Sequence, residues 1–432
     1  MKRPFAIAVL AASLCAAAWP QLPRAPLPLP LPSLPATPLL PDALPVVQPA
    51  IVSSVRARAR ELLQRYPREV ERDPRGAPAV RAVILALSPD AQALQQALAR
   101  GFRIQSDDTS QPLGERVVTL LVPPGLATQR ALQQLRTADP RGSYDFDHLF
   151  VESALPAASV AAGEPDPGAL PAPVEVRVGL IDGGVDVAHP VFASRPPQVS
   201  GCGGKPVAGA HGTAVASLFV GRAAGFHGAA PGAELHVVDV YCGGDAPGGR
   251  VRDIVLALSE LMAAQARVIN MSIVGPDNAV LAAVVRKVLA RSILIVAAAG
   301  NDGPGAPPLY PAAYPGVVAV TAVDAHEKVL LEAGAGAYLS FAAPGADMLA
   351  AAPGGVYAPV RGTSYAAPLV AGLLARLLAG GQVEPAARVV QQLAATAVDR
   401  GARGRDRRYG YGLVGMDLRT DPAHFAGHPA PP

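Results

Sequence analysis

The chain has 432 residues, half of them apolar, with 37 Lys and Arg against 34 Asp and Glu and a formal net charge of +3. That length and apolar content allow two or three domains with a sizeable core. The charge is small and no Lys/Arg block stands out, which removes the electrostatic ground for a nucleic-acid partner.

Residues 1–19, MKRPFAIAVLAASLCAAAW, carry two basic residues, an apolar run from Phe5 to Leu14 and small residues from Ala16 to Ala18. That order predicts a secretory signal peptide and export to the periplasm or the medium. The run is short for a membrane span, and an uncleaved signal is the one route left open to a membrane-anchored form. Cys15 follows a bulky Leu14, which speaks against a lipoprotein signal. Residues 20–50 place proline at every second to fourth position, which forbids helix and predicts an extended, semi-rigid linker.

Ile51, Val55, Ala59, Leu62, Leu63 and Tyr66 recur at helical spacing between arginines and predict a short amphipathic helix that docks on the domain after it. From 79 to 150 strand-like and helix-like stretches alternate in the order βαββαβ, the split βαβ arrangement of a small α+β domain. The domain is placed at 51–150. A Pro-, Gly- and Ala-rich linker over 151–174 separates it from a second domain.

From 175 to 420 short apolar runs (VRVGLID, ELHVVDVY, RVINMSIV, ILIVAAAG, VVAVTAV) alternate with helical stretches. This predicts an α/β domain with a doubly wound, mostly parallel sheet, whose ligands gather beyond the carboxyl ends of the strands. Residues 421–432 form a C-terminal tail. Once a signal is removed, Cys202 and Cys242 are the remaining cysteines; an even pair in an exported chain is read either as one disulfide or as two buried thiols.

Four polar residues fall at ends of these elements. Asp182 closes an apolar run before Gly183 and Gly184, His211 precedes Gly-Thr and a small-residue helix, Asn301 follows the strand ILIVAAAG, and Ser364 stands where GTS enters an apolar helix. Taken singly, each has a simple explanation: a turn Asp, a polar neighbour of a cap, an Asn-Asp-Gly turn, and a serine N-cap. Together they supply an orienting carboxylate, a general base, an oxyanion donor and a nucleophile, the set that acyl transfer needs.

The motifs LIDGGVD, HGTAVA, AAGN and GTSYAAP, in this order, resemble those of the subtilisin-like serine proteases, with VINMSI, YPGVVAVTAVD, FAAPG and YGYGLVGM as further matching segments over about 175–418. The resemblance implies a subtilisin-like catalytic domain and a serine endopeptidase acting on peptide or protein substrates. It gives Ser364 the role of nucleophile, His211 that of base and then acid, Asp182 that of holder of the imidazole, and Asn301 with the Ser364 N–H that of oxyanion hole. Substrate strands are expected to add along Ser272, Ile273 and Val274 and along Ala298, Ala299 and Gly300. The 51–150 domain resembles the family's prodomain in element order, which implies an intramolecular inhibitor and a self-processing zymogen.

Three departures stand out. Val274 occupies a groove position where the family usually has glycine, Tyr365 replaces a common Met and Ala214 a frequent second His. The interval 217–235 holds no Asp or Asn, so the loop calcium site of many relatives is expected to be missing; no other metal site and no cofactor is expected. His189, His227, His236 and His326 are read as structural or exposed. Two other readings stand beside the protease: a catalytically silent secreted binding protein on the same scaffold, and a membrane-tethered processing protease with one partner substrate.

Overall fold

The computed structural model describes residues 54–110, 112–152, 172–223, 225–244, 248–379 and 385–422. The signal peptide, the Pro-rich linker, most of the 151–174 linker and most of the tail predicted from the sequence lie outside the described residues. Among the described residues no helix is long and apolar enough to cross a membrane.

The N-terminal part runs α1 (Val55–Arg65), β1 (Val70–Arg72), β2 (Pro78–Leu87), α2 (Ala91–Ala99), β3 (Arg103–Ser110), β4 (Glu115–Leu121), α3 (Thr128–Ala138) and β5 (Ser143–Glu152). Strands β5-β2-β4-β3 form an antiparallel sheet in that order, with β1 added beside β2. Period-two alternation sends Ile84 and Ala86 to one face, where Leu94, Leu132 and Leu135 of α2 and α3 cover them. Leu85 and Leu87 point to the other face. A sheet with helices on one face must cover its second face too, and here that cover comes from the following domain.

That domain contains β6 (Arg177–Asp182), β7 (Gln198–Gly201), α4 (Ala210–Val220), β8 (Glu234–Asp239), β9 (Gly249–Arg250), α5 (Val251–Ala263), β10 (Val268–Met271), β11 (Ile273–Val274), α6 (Ala279–Leu289) and β12 (Leu294–Ala298). It continues through β13 (Val318–Val323), β14 (Leu339–Pro344), β15 (Met348–Ala352), β16 (Val356–Val360), α7 (Thr363–Leu378) and α8 (Ala386–Thr396). Seven strands form one parallel sheet in the order β14-β13-β12-β10-β6-β8-β7. Strands β10, β12, β13 and β14 are buried along their whole length and mostly apolar, as burial of both faces requires, whereas the edge strand β7 is partly exposed. Leu180, Val268 and Val296 pack with α4 and α7 on one face, while Ile181, Ile269 and Ile295 pack with α5 and α6 on the other.

Helices α5 and α6 also carry the N-terminal sheet: Leu85, Leu87, Val117 and Phe150 share one core with Ile254, Leu258, Leu281 and Val284. The rim of this contact is polar and directional. Asp145 Oδ2 accepts from Ala279 N at 2.7 Å and Asp147 Oδ1 from Arg252 N at 3.1 Å, so two carboxylates of β5 sit on the first turns of α6 and α5. Unpaired N–H groups and the helix dipole favour anions there. Arg250 Nε donates to Asp147 Oδ2 at 2.8 Å, and Asn278 donates to the Phe146 carbonyl at 2.9 Å.

Candidate active site

Asp182 ends β6 and is fully buried, and its Oδ1 accepts from Gly183 N at 2.7 Å and from His211 Nδ1 at 2.8 Å. His211 lies in the first turn of α4. The close approach depends on the glycine after it: a Cβ on Gly212 would stand 2.3 Å from the Gly183 carbonyl oxygen and 2.6 Å from that of Gly184. With Nδ1 donating to Asp182, the imidazole presents Nε2 as an acceptor. That atom is buried and has no hydrogen-bond partner among the described residues.

Ser364 is the second residue of α7. The cap position belongs to Gly362, whose φ of 140° suits glycine and which makes no side-chain cap bond. The simple reading of Ser364 as a cap therefore fails. Its hydroxyl donates to the Ser272 carbonyl at 3.4 Å, and its own carbonyl accepts from Ser272 Oγ at 2.8 Å. Asn301 follows β12; its Oδ1 accepts from Thr363 N at 3.1 Å, which fixes Nδ2 as the donating end of the amide.

Ile273 and Val274 pair antiparallel with Glu152 and Val151, and Gly249 and Arg250 pair with Phe150 and Leu149. The end of β5 thus lies between two short strands of the second domain, on the edge expected to take substrate. Val274 does not prevent this strand from joining. Ala298 and Ala299 present no open edge: Ala298 pairs with Val320, and Ala299 N donates to the Val320 carbonyl at 2.9 Å. Gly300 N is bonded to Thr363 Oγ1 at 3.1 Å. Cys202 and Cys242 are joined as a disulfide with Sγ–Sγ 2.16 Å; Cys202 follows β7, and Cys242 lies just after β8, the strand that pairs with β6 at Asp182.

Sequence reasoning missed Glu152, Arg58 and Asp302. The ligand-type atoms of Glu152, Asp182 and His211 all lie within 4.8 Å of one another. A trio of this kind is also what a cation would need, but His211 Nδ1 is committed to Asp182, which suits proton transfer. Arg58 Nη1 donates to the Glu152 carbonyl at 2.5 Å, and Val55 N donates to Asp302 Oδ1 at 2.5 Å, so α1 reaches the residue next to Asn301. Burial pushes the Glu152 carboxyl up, His211 and Arg58 hold it down, and Asp182 and Asp239 raise it further, for a net rise. Burial pulls His211 down, but the carboxylates of Asp182 and Glu152 more than offset this and its pKa stands above the ordinary imidazole value. These three residues enter by tertiary packing and carry no local signature.

The description "Subtilase family" matches residues 174–412. The chain is 32% identical over 225 residues to the minor extracellular protease Epr of Bacillus subtilis, covering 51% of this chain and 34% of that one. It is 33% identical over 258 residues to subtilisin E of Bacillus subtilis, covering 56% of this chain and 64% of that one. The chain therefore spans less than two thirds of either relative. Fervidolysin from Fervidobacterium pennivorans, described as a keratinolytic enzyme related to subtilisin, has a similar fold with a TM-score of 0.66 at 21% identity, over 84% of this chain and 63% of that one.

Proposed function

The chain belongs to the subtilase family, and on that premise we propose that it is an exported serine endopeptidase made as a self-processing precursor. Ser364 Oγ is the nucleophile, and its base is His211 Nε2, the buried acceptor without a partner among the described residues. His211 removes the hydroxyl proton as Oγ attacks the scissile carbonyl, and Asp182 stabilises the imidazolium that forms. Asn301 Nδ2 and the Ser364 N–H, at the N-terminus of α7, donate to the oxyanion. His211 then gives its proton to the leaving amine, and water repeats the sequence on the acyl-enzyme.

The observation that carries the precursor reading is the end of β5 lying along Ile273–Val274 with Glu152 beside His211. Residues 51–150 act as inhibitor and folding partner, and 151–174 holds the cut. Export rests on the predicted signal at 1–19 and on the likeness to a protease named extracellular. The silent-scaffold reading requires a missing group, whereas all four side chains stand at their element ends.

Intact-mass and N-terminal analysis of wild type and Ser364→Ala tests the proposal. We expect a new N-terminus within 151–174 in the wild type and a full-length chain in the variant. Equal processing of both, in a host lacking other proteases, refutes self-cleavage.

A further inference from the structure

The side chain of Glu152 stands beside His211 and Asp182, with ligand-type atoms within 4.8 Å of one another, and burial together with neighbouring carboxylates disfavours its charge more than His211 and Arg58 favour it. Asp182 and Asp239 face this side chain with negative charge, and Tyr241 and Tyr365 lie close enough for Glu152 to raise their hydroxyl pKa values, after the larger effect of burial. Asp182 Oδ2, a buried acceptor in this neighbourhood, has no hydrogen-bond partner among the described residues, and neither do the hydroxyls of Tyr241 and Tyr365, each of which can accept as well as donate. Buried acceptors left without donors are costly, and a ligand that brings donors removes that cost.

Gly183 forms part of the wall around Glu152, where a Cβ would come 3.5 Å from Glu152 Oε1 and 4.0 Å from the Tyr241 ring. Among the described residues, the cation besides His211 that reaches Glu152 is Arg58, and it belongs to α1. In the maturation proposed above, α1 leaves with the rest of the N-terminal domain. The emptied pocket then keeps its carboxylates and tyrosine oxygens and loses the guanidinium.

We infer that this pocket selects a cationic side chain, lysine or arginine, at the substrate position that Glu152 fills in the precursor. The inference rests on the serine endopeptidase reading and adds the substrate class. It also gives Glu152 a purpose: an ill-matched anion in the groove makes the cut tail a weak occupant at neutral pH, which favours release. Because the pocket raises the Glu152 carboxyl pKa, an acidic residue binds there best when protonated. That binding is strong at low pH and is lost as pH rises through the raised value.

The test uses the purified chain after processing and the peptides Leu-Phe-Val-X-Ser-Ala, which are residues 149–154 with X at position 152 as Lys, Gln or Glu. Turnover and protection of Ser364 from a fluorophosphonate are both read, so a peptide that binds without being cut still reports. At mildly alkaline pH the Lys peptide is expected to exceed the Glu peptide by about tenfold or more, with Gln between. The gap between Gln and Glu closes as pH falls. A Glu peptide equal to or better than the Lys peptide, on an enzyme whose Ser364 takes the label, overturns the inference alone. Absence of any label on Ser364 overturns the endopeptidase reading and this inference with it.

Discussion

Replacing Gly212 with alanine tests whether the spacing of the Asp182–His211 pair is set by backbone contact. The new Cβ would stand 2.3 Å and 2.6 Å from two carbonyl oxygens of the 183–184 turn, inside the 3.0 Å that Cβ contacts essentially never reach. Those oxygens belong to backbone held by Gly209 N, which donates to the Gly184 carbonyl at 2.8 Å, so the helix must lift away from the turn. Overpacking of this kind costs about 1–3 kcal/mol. At about 2–4 °C per kcal/mol for a domain of this size, Tm falls by several degrees. His211 rides on the displaced turn of α4, and a misplacement of about 1 Å costs about 100-fold in rate. Thermal melting and the rate of fluorophosphonate labelling read the two effects. Gly305→Ala is the control, because its Cβ would meet nothing within 4 Å. If Gly212→Ala melts and labels like Gly305→Ala, the contact does not set the geometry and the reasoning is wrong.

Asp182→Asn removes the charge that holds the imidazole and lets the wrong tautomer form, so labelling should fall by about four orders of magnitude while the circular dichroism spectrum stays unchanged; a loss below tenfold would contradict the assigned role. In a Ser364→Ala precursor, NMR titration of His211 should give a midpoint above the ordinary imidazole value, since Asp182 and Glu152 outweigh burial. Glu152→Gln removes one of the two carboxylates that favour the protonated ring, so the midpoint must move to lower pH; an upward or absent shift counts against the placement of Glu152. Cys202 and Cys242 close a loop with sequence separation 40, and loss of that constraint in a double serine variant should cost about 4 kcal/mol, read by denaturant titration.

The parallel domain was legible because strands buried on two faces must be mostly apolar, as VGLI in β6 and LIVAA in β12 are. Asp182, His211, Asn301 and Ser364 could be named because each stands beside glycine or small residues at an element end. Ser364 also shows the limit of single-residue reading, since its chemistry matches a cap while Gly362 takes that position. The pairing of Ala298 and Ala299 with β13 was not legible, because a short apolar run does not reveal which neighbour already covers its edge. Glu152 and Arg58 stayed hidden for a different reason: an acid at the end of a strand and an arginine on a helix have no pattern until β5 and α1 meet the second domain. Docking of the N-terminal sheet on α5 and α6 was equally silent, although Leu85 and Leu87 on its second face required some cover.

The central claim is that Ser364, and no other serine, is a nucleophile activated by His211. Wild type and Ser364→Ala should be treated with a fluorophosphonate and mapped by peptide mass spectrometry. The account predicts one adduct, on Ser364 of the wild type, and none in the variant. Equal labelling of both chains, or a wild type that takes no label at Ser364 after its N-terminal domain has been removed, would contradict it.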